Sequence, residues 1–174
     1  MKKLLLGLVG LSAALASCGV TVDVGGPVTI TALNSYTSDW YRNVPDGNGG
    51  TKPEYVICDN RDTTVVMNVS WVGTLAQLDV SFEGSKGGKL AESTGQFTPD
   101  SSGNDVFTYM FGPNMAPLSL NKTAISAQSL KPQAIIVNPT NKGTTFVTLT
   151  GYSASGLKSN SLVAPQGIPV VDCI

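Results

Sequence analysis

No histidine occurs anywhere in the 174 residues. That absence removes the side chain that titrates near neutral pH and the commonest nitrogen ligand for zinc or copper. A Ser-His-Asp hydrolase, a histidine-ligated metalloprotease and a copper-zinc dismutase are therefore excluded. Charge is also sparse: Asp, Glu, Lys and Arg make up 13% of the chain, about half the usual share. Only two arginines are present, Arg42 and Arg61, and the lysines are scattered. The clustered cations that release counterions from a polyanion are missing, so no nucleic-acid partner is expected. No run of ~20 apolar residues is long enough to cross a bilayer. Beyond the first seventeen residues no window of a dozen keeps a helical period; the nearest, 121–130, gathers Ala124, Ala127 and Gln128 on a face with little bulk.

What is present begins at the N-terminus. Lys2 and Lys3 form a basic start, residues 4–15 are apolar apart from Gly7, Gly10 and Ser12, and Ala16-Ser17 are small. This is the architecture of a secretory signal peptide rather than a spanning helix. Leu15-Ala16-Ser17-Cys18 resembles the lipobox of bacterial lipoproteins, in which the cysteine receives a diacylglyceryl group and becomes the first residue of the cleaved chain. The resemblance implies lipidation of Cys18, a membrane contact through acyl chains, and an extracytoplasmic address in a bacterial cell envelope. Two or three acyl chains at about 0.8 kcal/mol per buried methylene anchor a chain stably where one is marginal. Gly19 stands where, in that family, an aspartate favours inner-membrane retention, so the resemblance implies the outer membrane rather than the inner.

Loss of residues 1–17 takes Lys2 and Lys3 away, leaving nine basic against twelve acidic residues and moving the net charge from -1 to -3. Residues 18–26 then form a lipidated tether, within which 20–24 alternates like an edge strand, and 27–174 suffice for one domain with one core. With Cys18 acylated, Cys58 and Cys173 remain as an even pair in an oxidising compartment, and a disulfide between them is expected. It would close about 115 residues, worth up to ~4.7 kcal/mol in the chain-entropy account. A redox or metal-binding thiol pair is disfavoured, because there is no C-x-x-C spacing and no histidine.

The rest of the chain reads as strands. Val28 and Ile30 alternate with Thr29 and Thr31, and β-branched or aromatic-rich stretches follow at 55–58, 64–71, 75–82, 106–111, 134–137, 145–152 and 168–171. Between them lie turn-forming clusters at 46–50, 84–88, 99–103, 141–143 and 164–167. The pattern predicts an all-β, antiparallel β-sandwich with almost no helix outside the signal peptide, and long loops at 35–53 and 84–105. Cys58 followed thirteen residues later by Trp71 resembles the immunoglobulin arrangement of a strand-B cysteine and a strand-C tryptophan. Cys173, preceded by Val171 and Asp172, departs from that family's second cysteine, which leaves an immunoglobulin-like or fibronectin-like sandwich as the expectation. Trp71 is equally explained as filler between two sheets.

Chemistry-bearing constellations are few. Ser85-Lys86 and the serine and lysine at 119–122 are the nearest Ser/Lys juxtapositions, but they sit in polar turn sequence, where a lysine keeps its solvated charge. Asp59 and Asp62 flank Arg61, which reads as a turn with a surface ion pair. Asp46-Gly47-Asn48-Gly49-Gly50 partly resembles Asp-x-Asn-x-Gly calcium loops, which would place Asp46 and Asn48 as ligands of calcium, the one cofactor to consider. The twelfth position is Ile57 rather than an acid, so a plain glycine-rich turn is the competing reading. Tyr36, Trp40 and Tyr41 lie together beside Asp39 and Arg42; they either contact a glycan or protein partner or fold back over an open sandwich end.

No enzyme is expected. The expected role is a lipid-anchored, non-catalytic structural or interaction protein, an accessory subunit of a surface-layer or outer-membrane assembly with other envelope proteins as partners. A glycan or peptidoglycan binding module is the alternative, and an enzyme without histidine comes last. Mass spectrometry of the membrane-extracted chain is expected to find an N-terminal Cys18 carrying diacylglycerol. Cys18→Ser should release the chain from the membrane fraction, and an unmodified Cys18 refutes the lipobox reading.

Overall fold

The computed structural model describes residues 26–98, 100–101, 103–117, 135–137 and 140–174. The expected signal peptide, Cys18, the 20–24 segment, the 119–122 serine and lysine and the 121–130 window lie outside the described residues. Within them the chain is all strand and turn, with no helix. Eleven strands occur: β1 (Thr29–Ser38), β2 (Trp40–Pro45), β3 (Thr51–Cys58), β4 (Thr63–Val72), β5 (Gln77–Gly84), β6 (Lys89–Ser93), β7 (Gly103–Phe111), β8 (Ile135–Ile136), β9 (Thr140–Tyr152), β10 (Lys158–Val163) and β11 (Ile168–Asp172). The expected β-sandwich is what these strands build.

One sheet has three strands in the order β1-β4-β7, and the other runs β6-β5-β9-β11-β3-β2-β8, with β10 also on β9. In β4, Val65, Met67, Val69 and Trp71 are buried while every second residue is more open, so the period-2 pattern is realised as one face turned to the core. From the larger sheet, Leu78, Val80, Phe82, Val147, Leu149 and Val170 meet it. Phe82 packs edge-on against Tyr109 at 5.5 Å and Phe111 at 5.0 Å, the geometry that aromatic quadrupoles favour.

The larger sheet is mixed rather than purely antiparallel. β11 runs parallel to β3, pairing Val170 with Ile57 and Val171 with Cys58, and β2 runs parallel to β8. A parallel pair needs a long crossover, and here more than a hundred residues separate β3 from β11. Both strands are buried on both faces: Ile57 and Val170 join the inter-sheet core, while Val56, Cys58, Val171 and Cys173 form a second cluster with Val137 and Trp40. That double burial explains why 55–58 and 168–171 read as apolar runs without clean alternation. The disulfide Cys58–Cys173, with Cα atoms 5.5 Å apart, staples the end of this pair within one sheet. The immunoglobulin bridge joins two sheets; here Trp71 lies in the opposite sheet, in the other cluster from the cysteines.

The turn-like sequence at 164–167 does not reverse the chain. β10 lies along the 148–152 half of β9, Ala164 N donates to Val147 O at 2.8 Å, and β11 continues along 140–145. β10 and β11 are thus one strand interrupted beside β9. Gly167 is required at the interruption, because a Cβ there would come within 2.2 Å of Thr144 Cγ2. Upstream, the irregularity between Lys158 and Ser161 frees the Asn160 side chain to reach β1. Ile30 N donates to Asn160 Oδ1 at 2.9 Å and Asn160 Nδ2 donates to Ile30 O at 3.0 Å. The carboxamide replaces a backbone partner and clasps the two sheets together.

The two expected loops are corrected. Residues 35–53 are nearly all strand, holding the end of β1, all of β2 and the start of β3, and 84–105 contains β6. β2, β6 and β10 escaped a reading by alternation because they bury little: β6 has one buried residue, Leu90, and β2 and β10 have none. Such strands are held by neighbours' backbone groups rather than by their own apolar face. Asn160→Ala is expected to lower stability by about 1–3 kcal/mol in urea denaturation, by stranding the Ile30 amide and carbonyl. Asn43→Ala, at an exposed position on β2, should stay within about 0.5 kcal/mol.

Candidate functional site

β2 and β3 form a hairpin, pairing Trp40 with Val56, Tyr41 with Tyr55, Arg42 with Glu54 and Val44 with Lys52. Its turn is organised by Asp46. Oδ1 accepts from Asn48 N at 2.8 Å and Gly50 N at 2.9 Å, and Asp46 N donates to Gly50 O at 3.1 Å. Gly47 and Gly49 take the positive φ values, 84° and 87°, that such a turn demands. The two amides hold the Asp46 carboxyl below the ordinary aspartate range. Asp46 and Asn48 therefore stand in a hairpin turn whose carboxylate already serves backbone donors. Among the described residues, no group of three or more Asp, Glu, Cys or His is placed to hold a metal ion.

The aromatic trio splits across the hairpin. Tyr36, on β1, packs against the rim of the main core. Tyr41 meets Tyr55 edge-on at 6.3 Å. Trp40 packs against the second cluster, with its indole N–H donating to Asp62 O at 2.9 Å and the Arg61 guanidinium 5.5 Å from its ring centroid. Arg61 thus stacks on Trp40, and the buried Asp59 finds its cation elsewhere, in Lys142 at 3.0 Å. Tyr36, Trp40 and Tyr41 are all half-buried.

Tyr36 opens onto a groove of about 500 Å³ between the edge of β1 and the hairpin. Its walls come from residues 33–36, from Val44 and 52–55, and from the 164–167 interruption. Glu54 on the wall is bound by Arg42 Nε at 2.5 Å. Burial, and then the Glu54 charge, push the Tyr36 hydroxyl above its ordinary value, so it remains a donor throughout the physiological range. Tyr55, Lys52 and Gln166 were not singled out by sequence reasoning. A single-sequence pattern does not show that β1, the hairpin and a segment more than a hundred residues away share one cleft.

At the disulfide end, Lys142 bridges Asp59 and Asp172, with Nζ 3.0 Å and 2.9 Å from their carboxylates. Asn60 acts there as Asn160 does on β1: Cys173 N donates to its Oδ1 at 2.8 Å, and its Nδ2 donates to Cys173 O at 2.9 Å. Ser85 is occupied in a turn, donating its amide to Thr144 O and receiving Thr144 N on its hydroxyl, while Lys86 is exposed.

No protein-family model matches the chain, and no curated protein and no solved structure matches it at a significant level.

Among the described residues four raised groups bear on the alkaline limit, Lys142, Tyr36, Tyr109 and Tyr152, the last raised by burial and then by Asp79. Asp172, then Asp59, hold the Lys142 ammonium above its usual range, and burial raises Tyr36 and, more strongly, Tyr109, whose hydroxyl has no hydrogen-bond partner among the described residues. Each folded value is raised, so each contribution is fully present below the unfolded value and is lost as pH rises through the folded one. Thermal midpoints are expected to hold steady up to about pH 9 and fall above about pH 10. Tyr109→Phe should reduce that alkaline fall without costing stability at pH 7, because it deletes an unpaired hydroxyl.

Proposed function

We propose that this chain is a lipid-anchored, non-catalytic interaction protein of a bacterial cell envelope, an accessory subunit of a surface-layer or outer-membrane assembly. The observation that carries the reading is Leu15-Ala16-Ser17-Cys18 at the end of a basic and apolar leader. The Cys58–Cys173 disulfide supports it, since such bridges form and persist in oxidising, extracytoplasmic compartments. Gly19 after the acylated cysteine favours the outer membrane.

The outer face of β5, β9 and β10 supports a docking role. Phe146 and Val163 stand 44% and 62% exposed there, Phe146 opposite Glu83 and Val163 opposite Thr148, with Thr148 also opposite Ser81 and Thr150 between Asp79 and Ser161. Exposed apolar side chains within a face of hydroxyls and carboxylates suit an interface whose core excludes water and whose rim keeps its hydrogen bonds. Nothing in this role asks chemistry of Ser85, Lys86 or the Asp59–Lys142–Asp172 network, which serve a turn and a strand end.

A second reading, a glycan-binding module, is favoured by one specific feature, the groove beside Tyr36. The primary reading is tested by extracting the envelope in mild detergent and isolating the chain. A defined complex with other envelope proteins is expected, and Phe146→Asp combined with Val163→Asp should dissociate it while leaving the fold intact. Recovery of the chain alone overturns the reading.

A further inference from the structure

We infer that the groove between β1 and the β2–β3 hairpin binds an uncharged oligosaccharide, with Tyr36 and Tyr55 as its aromatic wall and Lys52, Glu54 and Gln166 as its hydrogen-bonding groups. This inference rests on the second reading above and assigns it a site and a ligand class. At about 500 Å³ the groove lies within the range of ordinary ligand clefts.

The chemistry of the walls selects the ligand. Leu33 and two tyrosines offer apolar surface, which suits the C–H face of a pyranose ring. Around them stand a cation, an anion and a carboxamide, a mixture of donors and acceptors matched to vicinal hydroxyls. Lys52 and Glu54 bring one charge of each sign. Arg42 and Glu54 offset each other at 2.5 Å, and the pair leaves the remaining Glu54 lone pairs as acceptors for sugar hydroxyls. The Tyr36 hydroxyl, kept protonated by its surroundings, adds a permanent donor.

The groove is also pre-formed, which lowers the ordering cost of binding. β1 is held by its ladder to β4 and by the Asn160 clasp. The hairpin wall is braced by Asp46 across its turn. The third wall is pinned by Ala164 N to Val147 O and closed by Gly167 against Thr144. Lys52 and Gln166 are exposed at the rim, where an incoming chain of sugars meets them first.

The test is saturation-transfer NMR on the full mature chain in a detergent without a sugar headgroup, with chitotetraose, cellotetraose and maltotetraose as probes. Transfer to at least one tetrasaccharide is expected, weakened about five- to tenfold by Tyr55→Ala and by Gln166→Ala. Gln166→Ala changes an exposed side chain and so keeps the test valid if Tyr55→Ala does not fold. Absence of transfer to all three overturns the glycan-binding reading and this site with it. Transfer that survives both substitutions undiminished overturns the site alone.

Discussion

The insertion of β11 between β9 and β3 is the constraint on which the rest of the structure depends. Among the described residues it is the strand that joins the two halves of the larger sheet, antiparallel to β9 on one side and parallel to β3 on the other. Its position buries both of its faces, so it takes part in both apolar clusters at once. Bringing it there closes a span of 115 residues, and an uncross-linked chain would bear the entropy of that closure in full. The Cys58–Cys173 bridge removes much of that freedom from the unfolded ensemble. Asn60 then pairs with both backbone groups of Cys173, and Lys142 bridges the Asp59 and Asp172 carboxylates beside the disulfide.

The position of β11 fixes that of β10. Because both follow one edge of β9, β10 is carried toward β1, and Asn160 closes the sandwich there. The same interruption between them places Pro165 and Gln166 opposite the β2–β3 hairpin, which makes the third wall of the groove. The groove is therefore a by-product of how the C-terminal strands return, and its rigidity derives from the same hydrogen bonds that hold the fold.

Much of the secondary structure was legible in the chain. Strands with one buried face, such as β4 with Val65, Met67, Val69 and Trp71, announce themselves by alternation. Strands buried on both faces, β3 and β11, announce themselves as apolar runs. Those that bury little, β2, β6 and β10, were hidden, because their pairing is supplied by backbone neighbours and leaves no mark on side-chain polarity. The candidate site suffered in the same way: Tyr36 was visible as an aromatic beside polar residues, but Tyr55 and Gln166, which line the same groove, are not its neighbours in sequence. Trp40, adjacent to Tyr41, proved to face the other side of the hairpin, as the period of 2 requires once the segment is a strand rather than a loop.

Sequence alone determined the strand-rich class, the pairing of Cys58 with Cys173 once Cys18 is set aside, and the exclusion of histidine-based chemistry. These follow from local periodicity, from parity and from composition, which need no knowledge of contacts. Only the tertiary structure decided that the bridge lies within a sheet, that 164–167 interrupts a strand instead of turning it, and that Asn160 joins the two layers. Each of these depends on which backbone lies next to which across tens to more than a hundred residues of chain, and that is settled by the global burial of apolar faces rather than by any local pattern.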